Sequence, residues 1–304
     1  MQKLTYVCRA LRNKKVVRLL RCAIYSSYGA CLGSESEKIL SVTDIIIDRL
    51  VLSQKAKMNT VTLKKVSVSA RARLILNTKY KKLYGHYKRE DKPQYEFSQI
   101  KKYLRGNKIM DFGCGDGLFA TYISRKGYDV SGTDTKDYRV DAAKNIHFLP
   151  LKDYISPPSH TQLFDTTIIK SVLHHIDARK IESTIRSIVR NTSKRVLIKE
   201  DVILELFDEQ PLLRDPKNNL LEQYFRFSHT EKLQFLALMD FFGNYITQGL
   251  SFIEFPFAFR TVGGWGRIFK KTSLTISKVI PSLFSTKMLH TGPHAWFICD
   301  VRKA

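Results

Sequence analysis

Three features of the 304-residue sequence predict an α/β fold built on a doubly wound, mainly parallel seven-stranded sheet. A short apolar run, KIMDF (108–112), leads directly through a glycine turn into a helical stretch, GLFATYISRKG (117–127). Strand-like and helical runs then alternate, with strands at YDVSGTD (128–134), IHFLPL (146–151), FDTTIIKSV (164–172) and RVLIKED (195–201) and a helix at 178–191. The far end adds a helix and strand in GGWGRIFKKTSLTISKVI (263–280) and a last strand in HAWFICDVRK (294–303). Helices spaced between strands in this way form parallel crossover units, and such sheets take their ligands beyond the carboxyl ends of the strands.

Ahead of this pattern, residues 5–105 read as mostly helical, with Ser34 and Glu37 at capping-box spacing, a helix through 52, another around 69–85, and Pro93 in a connection. The chain therefore divides into a basic, helical N-terminal region (1–105) and an α/β domain (106–304) carrying an insertion at 202–262. Charge divides the same way. Residues 1–105 hold 24 Lys and Arg against 7 Asp and Glu, whereas 106–304 hold 27 against 21. An excess of that kind suits an anionic membrane surface or RNA, or is a solvated basic face.

Apolar residues make up 43% of the chain, which argues against global disorder. The most apolar long stretch, ILSVTDIIIDRLVL (39–52), is interrupted by Asp44, Asp48 and Arg49 and reads as an amphipathic helix, not a membrane span. Cys8, Cys22, Cys31, Cys114 and Cys299 show neither disulfide nor metal spacing, which points to a reducing compartment. The expected location is the cytoplasm, with attachment to a membrane surface as a variant. The first 34 residues, free of acids and carrying Lys3, Arg9, Arg12, Lys14, Lys15, Arg18 and Arg21, give a mitochondrial alternative.

The segment DFGCGDG (111–117) is the chemical centre of the sequence. A lone glycine there marks a tight turn. Gly113, Gly115 and Gly117 together let a ligand approach the backbone where a helix begins and its N–H groups are free. Asp134 ends the next strand, 19 residues beyond Gly115, where a carboxylate accepts ribose hydroxyls. The ligand is therefore a nucleoside-bearing cofactor. Dinucleotide loops have the spacing G-x-G-x-x-G, whereas this one is G-x-G-x-G with Asp111 in front, so a positively charged ligand is favoured over a pyrophosphate. A kinase reading of DFG lacks its companion motifs.

This stretch resembles motif I of the class I S-adenosylmethionine-dependent methyltransferases, and the resemblance extends over 106–203 and more loosely over 262–303. It implies a Rossmann-like methyltransferase fold and S-adenosyl-L-methionine as cofactor. Gly113, Cys114, Gly115 and Gly117 would line the methionine part, Asp111 would lie near its amino group, and Asp134 would bind the ribose. FDTTIIKSVLHHI (164–176) is similar to the family's fourth-strand motif, with Lys170 and Ser171 facing the cofactor and His174 and His175 bordering the acceptor. The acid expected near the adenine falls at LPLKDY, on Lys152 or Asp153, of which Asp153 is preferred.

Methyl transfer needs alignment, exclusion of water and, for some acceptors, a base. The base candidates at the strand ends are His174, His175, Glu200 and Asp201, and no metal is called for. Residues 224–259 hold 11 of the chain's 34 aromatics, which reads as a lid for a small, apolar or lipid-like acceptor methylated at O, N or C, or as the insertion's own core. On the lid reading, Phe255→Ala raises the acceptor's KM. Two other readings are an RNA methyltransferase using the basic N-terminal region and a non-enzymatic cofactor-binding partner protein.

Overall fold

The structure is a computed structural model that describes residues 2–32, 36–55, 60–156, 164–205, 219–250, 255–282, 288–289 and 292–302. Its first helices are α1 (Gln2–Arg12), α2 (Lys14–Leu32), α3 (Ser36–Lys55), α4 (Thr60–Leu76), α5 (Thr78–His86) and α6 (Lys92–Ile100). Then come β1 (Lys108–Phe112), α7 (Leu118–Ser124), β2 (Asp129–Asp134), β3 (His147–Pro150), α8 (Leu151–Ile155), β4 (Phe164–Lys170), α9 (Ile181–Arg190) and β5 (Thr192–Ile203). The chain continues with α10 (Asn219–Phe225), α11 (His229–Asp240), β6 (Arg260–Thr261), α12 (Val262–Lys271), β7 (Leu274–Ser282) and β8 (His294–Val301). Two compact units result. One comprises Met1–Gly85, Asp201–Thr261 and Ser282–His294, and the other His86–Glu200, Val262–Pro281 and Ala295–Ala304.

The second unit holds most of the sheet, whose order is β3-β2-β1-β4-β5-β8-β7; the two-residue β6 and the last residues of β5, Val202 and Ile203, with which it pairs, belong to the first unit. Parallel pairing joins β1 to β2 and β4, β2 to β3, and β4 to β5, so the strand order reverses between β1 and β4. In β1, Ile109, Met110, Asp111 and Phe112 are all buried, the continuous run expected of a strand covered on both faces. Ile109, Phe119, Ile123, Val130, Ile168 and Leu197 form the core with Ile100 and Leu104 of the preceding segment. Trp296 on β8 completes it and donates its indole N–H to Gln99 Oε1 at 3.0 Å.

Residues 86–105 thus pack with the sheet, so the helical unit ends at Gly85 and not at 105. Pro93 likewise lies in the first turn of α6 and not in a connection, because a helix start has no use for the missing N–H. A π-helical turn, Tyr87–Asp91, precedes it.

The first unit is helical. Along α1 and α2, Val7, Leu11, Val16, Leu19, Leu20 and Ile24 are buried, so the apolar stripe of these basic helices faces inward. Asn13 Nδ2 donates to Gln234 Oε1 of α11 at 3.0 Å, and Arg21 pairs with Asp44 at 2.8 Å. Helix α11 starts at a capping box made by Ser228 and Glu231 and runs into a π-helical segment, Phe241–Gln248, that ends at Gly249. Glu37 lies in the first turn of α3, and Ser34, its expected capping-box partner, is outside the described residues. Among the described residues no helix is long and apolar enough to cross a membrane.

The aromatics of the insertion take the second of their two expected roles, the core of the insertion itself. Tyr224, Phe235, Phe241, Phe242, Tyr245, Phe255 and Phe259 are buried in this helical unit. The Phe241 and Tyr245 rings stack with centroids 5.2 Å apart, and Phe255 lies 5.6 Å from Phe257. Helices too short and basic to bury themselves need such a partner surface, and the insertion supplies it; Phe252 is outside the described residues. Phe255→Ala is accordingly expected to destabilise the chain by about 3–5 kcal/mol in urea unfolding, the usual cost of truncating a buried ring. An unchanged midpoint would return that ring to a lid.

Candidate functional site

The loop between β1 and α7 is tied to β2. Gly113 N and Cys114 N both donate to Thr133 O, at 2.8 and 3.0 Å, and Gly115 N donates to Asp134 Oδ2 at 3.0 Å. All three glycines have positive φ, of 73°, 53° and 74° in chain order, a region that other residues enter only at a cost. Their surroundings differ. A Cβ on Gly113 would lie 2.4 Å from Val172 Cγ2, and one on Gly117 would lie 2.9 Å from Ala143 Cβ. A Cβ on Gly115 would meet nothing within 4 Å among the described residues. Gly113 and Gly117 are therefore required by packing, and Gly115 borders open space.

This separates two variants that the sequence treats alike. Gly113→Val collides with Val172 and is a folding defect first. Gly115→Val costs about 1–2 kcal/mol of backbone strain and fills the space in front of the loop. It is expected to keep the fold while cofactor affinity drops below detection. Titration with an undiminished affinity would remove Gly115 from the site.

Asp111 is 1% exposed, and neither carboxylate oxygen has a hydrogen-bond partner among the described residues. Burial pushes its pKa up to about 6; Lys170 opposes the rise, while Glu96, Asp116 and Asp134 add to it. A buried, unpartnered carboxylate is unfavourable by itself and calls for a cationic donor. Cys114 is buried and packs over Gly132, and burial with the nearby Asp111 and Asp134 pushes its thiol far up, which makes it inert filling.

At the end of β4, Lys170 Nζ lies 2.9 Å from Glu96 Oε2 and 3.4 Å from the centroid of Phe119. Ser171 follows with φ 52°, its N–H donated to Lys199 O at 2.8 Å; strain of this kind concentrates at functional turns. Glu200 of β5 then organises the next three residues. Its Oε1 accepts from Val172 N (3.0 Å) and Leu173 N (2.7 Å), and its Oε2 lies 2.6 Å from His174 Nδ1. Glu200 and His174 are both fully buried. His175 is half-buried, with its ring centroid 4.2 Å from that of His174. Because Val172 abuts Gly113, this histidine turn stands against the glycine loop.

Asp153 sits on α8 immediately after β3 and is half-buried, whereas Lys152 is exposed. Asp201 lies one residue past Glu200 and is half-buried. Sequence reasoning missed Glu96, Lys199 and Lys88. Lys199 Nζ lies 2.9 Å from Glu96 Oε1, and Lys88 pairs with Asp116 of the loop. The available signal was Glu96 itself, one of few acids in a basic stretch.

A parallel sheet whose order reverses beside a glycine loop, with an acid ending the second strand, defines a nucleoside-cofactor-binding α/β protein. A family model described as a methyltransferase domain matches residues 84–239, just over half of the chain, and the chain belongs to that family. Curated relatives include the ubiquinone biosynthesis O-methyltransferases of Rickettsia bellii (30% identical over 76 residues) and Pectobacterium atrosepticum (31% over 88 residues). These matches take in 23% and 26% of this chain, which spans about a third of the relatives' length (32% and 36%).

Among solved structures, magnesium protoporphyrin IX methyltransferase from Synechocystis with bound S-adenosylmethionine is 13% identical, with a TM-score of 0.41 over 74% of this chain and 85% of that one. A methyltransferase from Methanosarcina mazei is 17% identical, with a TM-score of 0.45 over 67% and 96%. The cofactor implied by family membership is S-adenosyl-L-methionine. The residues present fit it: the buried Asp111 carboxylate, with no hydrogen-bond partner among the described residues, suits an ammonium, and Gly115 leaves room, while Asp134 at the end of β2 accepts from Gly115 N.

Proposed function

We propose that this chain transfers a methyl group from S-adenosyl-L-methionine to an oxygen of a small, apolar or lipid-like acceptor. The observation that carries the reading is the buried unit in which Glu200 holds both the turn after β4 and the His174 imidazole. When bound, the cofactor supplies an activated methyl group. Asp111, Gly115 and Asp134 are assigned to holding it, with Lys170 and Ser171 beside them and Asp153 toward the adenine. Glu200 keeps Nδ1 of His174 protonated, which makes Nε2 the basic nitrogen, and that nitrogen takes the acceptor's hydroxyl proton. Burial excludes water from the transfer. His175, at the same turn, is the second candidate for the base. The names of the curated relatives support oxygen over nitrogen or carbon.

The test is S-adenosylhomocysteine formation with a panel of apolar phenols and hydroxylated lipids, run beside RNA. Product that depends on a hydroxyl-bearing apolar compound is the expected result. Product that appears with RNA alone would overturn the choice of acceptor.

A further inference from the structure

We propose that Glu96 is a positioning residue for the glycine-loop site: together with the Phe119 ring it holds the Lys170 ammonium away from Asp111, which leaves that buried carboxylate open to the cation of the ligand. The inference rests on the proposed function in one respect, the assignment of Asp111 to the cofactor's ammonium. Strand register puts the charges on one face. Asp111 pairs with Ile168 across β1 and β4, and Lys170 pairs with Lys199 across β4 and β5. Residues two apart on a strand share a face, as do paired residues of parallel neighbours. Asp111, Lys170 and Lys199 therefore project to the side where Ile109, Ile168 and Leu197 meet Ile100 of α6 and Phe119 of α7. Lys170 is one diagonal step from Asp111, about 8 Å between backbones for a strand spacing of about 4.8 Å and a rise of about 3.3 Å per residue. A flexible four-carbon side chain covers that gap.

Two lysines directly opposite each other repel. Glu96, 2% exposed, offsets this by accepting from both, Lys170 at one oxygen and Lys199 at the other, each at 2.9 Å. The Lys170 ammonium also lies 3.4 Å from the centroid of Phe119, against the negative face of the ring. Neither oxygen of Asp111 has a hydrogen-bond partner among the described residues. An ammonium and a carboxylate on one face thus stay apart, because the ammonium is already held twice. Without that hold, Lys170 on Asp111 would form an internal ion pair that a ligand cation has to break. Glu96 keeps its hold by staying charged: against burial, Lys170, Lys199 and Lys92 hold it well below the usual carboxylate range. Burial pushes Asp111 up to about 6, with Lys170 opposing the rise and Glu96, Asp116 and Asp134 adding to it. Glu96 is therefore already ionised throughout the range in which Asp111 becomes so.

The test follows the ε-methylene protons of Lys170, which the Phe119 ring shifts upfield, by nuclear magnetic resonance of the full chain, with Lys170→Met used to assign the signal. In the unsubstituted chain without ligand, the upfield shift is expected to persist from about pH 5 to about pH 8, through the ionisation of Asp111. Its loss as pH rises through about 6 would mean that Lys170 moves to Asp111, and would overturn the inference. In Glu96→Gln, checked by thermal melting, the shift is expected to vanish and S-adenosylmethionine affinity to fall by about tenfold or more, the usual effect of an opposite charge beside a carboxylate. If that variant does not fold, the pH series on the unsubstituted chain decides alone. A signal that moves in Glu96→Gln, in a protein whose unsubstituted chain binds no S-adenosylmethionine, would overturn the proposed function and leave the hold of Glu96 on Lys170 standing. An unmoved signal in Glu96→Gln, or a moved signal with unchanged affinity, overturns the inference.

Discussion

Asp111→Asn is expected to gain stability relative to the unsubstituted chain by about 3 kcal/mol between pH 4 and pH 7, while cofactor affinity falls by about 100-fold or more. The folded carboxyl titrates near 6, above the value of about 4 for an unfolded aspartate. The folded chain therefore holds a proton that the unfolded chain has released over that window, and stability declines as pH rises through it. Above pH 6 the full penalty is present; below pH 4 it is gone. Asparagine carries no charge, so the decline disappears from the difference between the two chains. Urea unfolding of both at pH 4, 5, 6 and 7 measures it directly. A difference that does not change with pH would show that Asp111 ionises in the folded chain as easily as in the unfolded one. The opposite signs of the two effects are the mark of a group kept for its ligand at the expense of the unliganded fold.

Glu200→Gln is expected to lower turnover by about 100-fold or more with cofactor affinity and fold retained, and Glu200→Ala to destabilise the chain by about 3–6 kcal/mol. The alanine variant leaves the N–H groups of Val172 and Leu173 and the His174 imidazole without their shared acceptor in a fully buried place. The glutamine variant is the informative one. Its carbonyl oxygen still accepts the two backbone N–H groups, which turns the amide NH2 toward Nδ1 of His174. That nitrogen must then accept, so the proton moves to Nε2 and the base is lost. A nitrogen-15 spectrum of the histidines reads this tautomer change without any acceptor, and steady-state kinetics with the identified acceptor reads its consequence. His174→Ala should lose turnover to a similar degree. Full turnover in both variants would move the base to His175 or remove the need for one.

The strands and helices of the sheet were legible because their signals are local. KIMDF and the glycines after it specify a strand and a turn within ten residues, and Asp134 is placed by the length of one crossover unit. The helices at 181–190 and 262–271 and the strands that follow them are equally plain in the alternation. Contacts between distant segments were not. That Glu96 anchors Lys170 and Lys199 depends on pairings across 74 and 103 residues, which no periodicity records. The rings of 224–259 announce burial but not what they are buried against, and in the structure they join α1 and α2 in one helical unit. Gly113 and Gly115 look equivalent in sequence; only the position of Val172 separates a packing requirement from an open approach.

S-adenosylmethionine binding at the glycine loop through Asp111 is the requirement on which the activity rests. The direct measurement is isothermal titration of S-adenosylmethionine and NAD into the full chain and into Asp111→Asn. The predicted result is saturable binding of the sulfonium cofactor to the unsubstituted chain, its loss in the variant, and no binding of NAD to either. Preference for NAD, or unchanged sulfonium binding in Asp111→Asn, would contradict it.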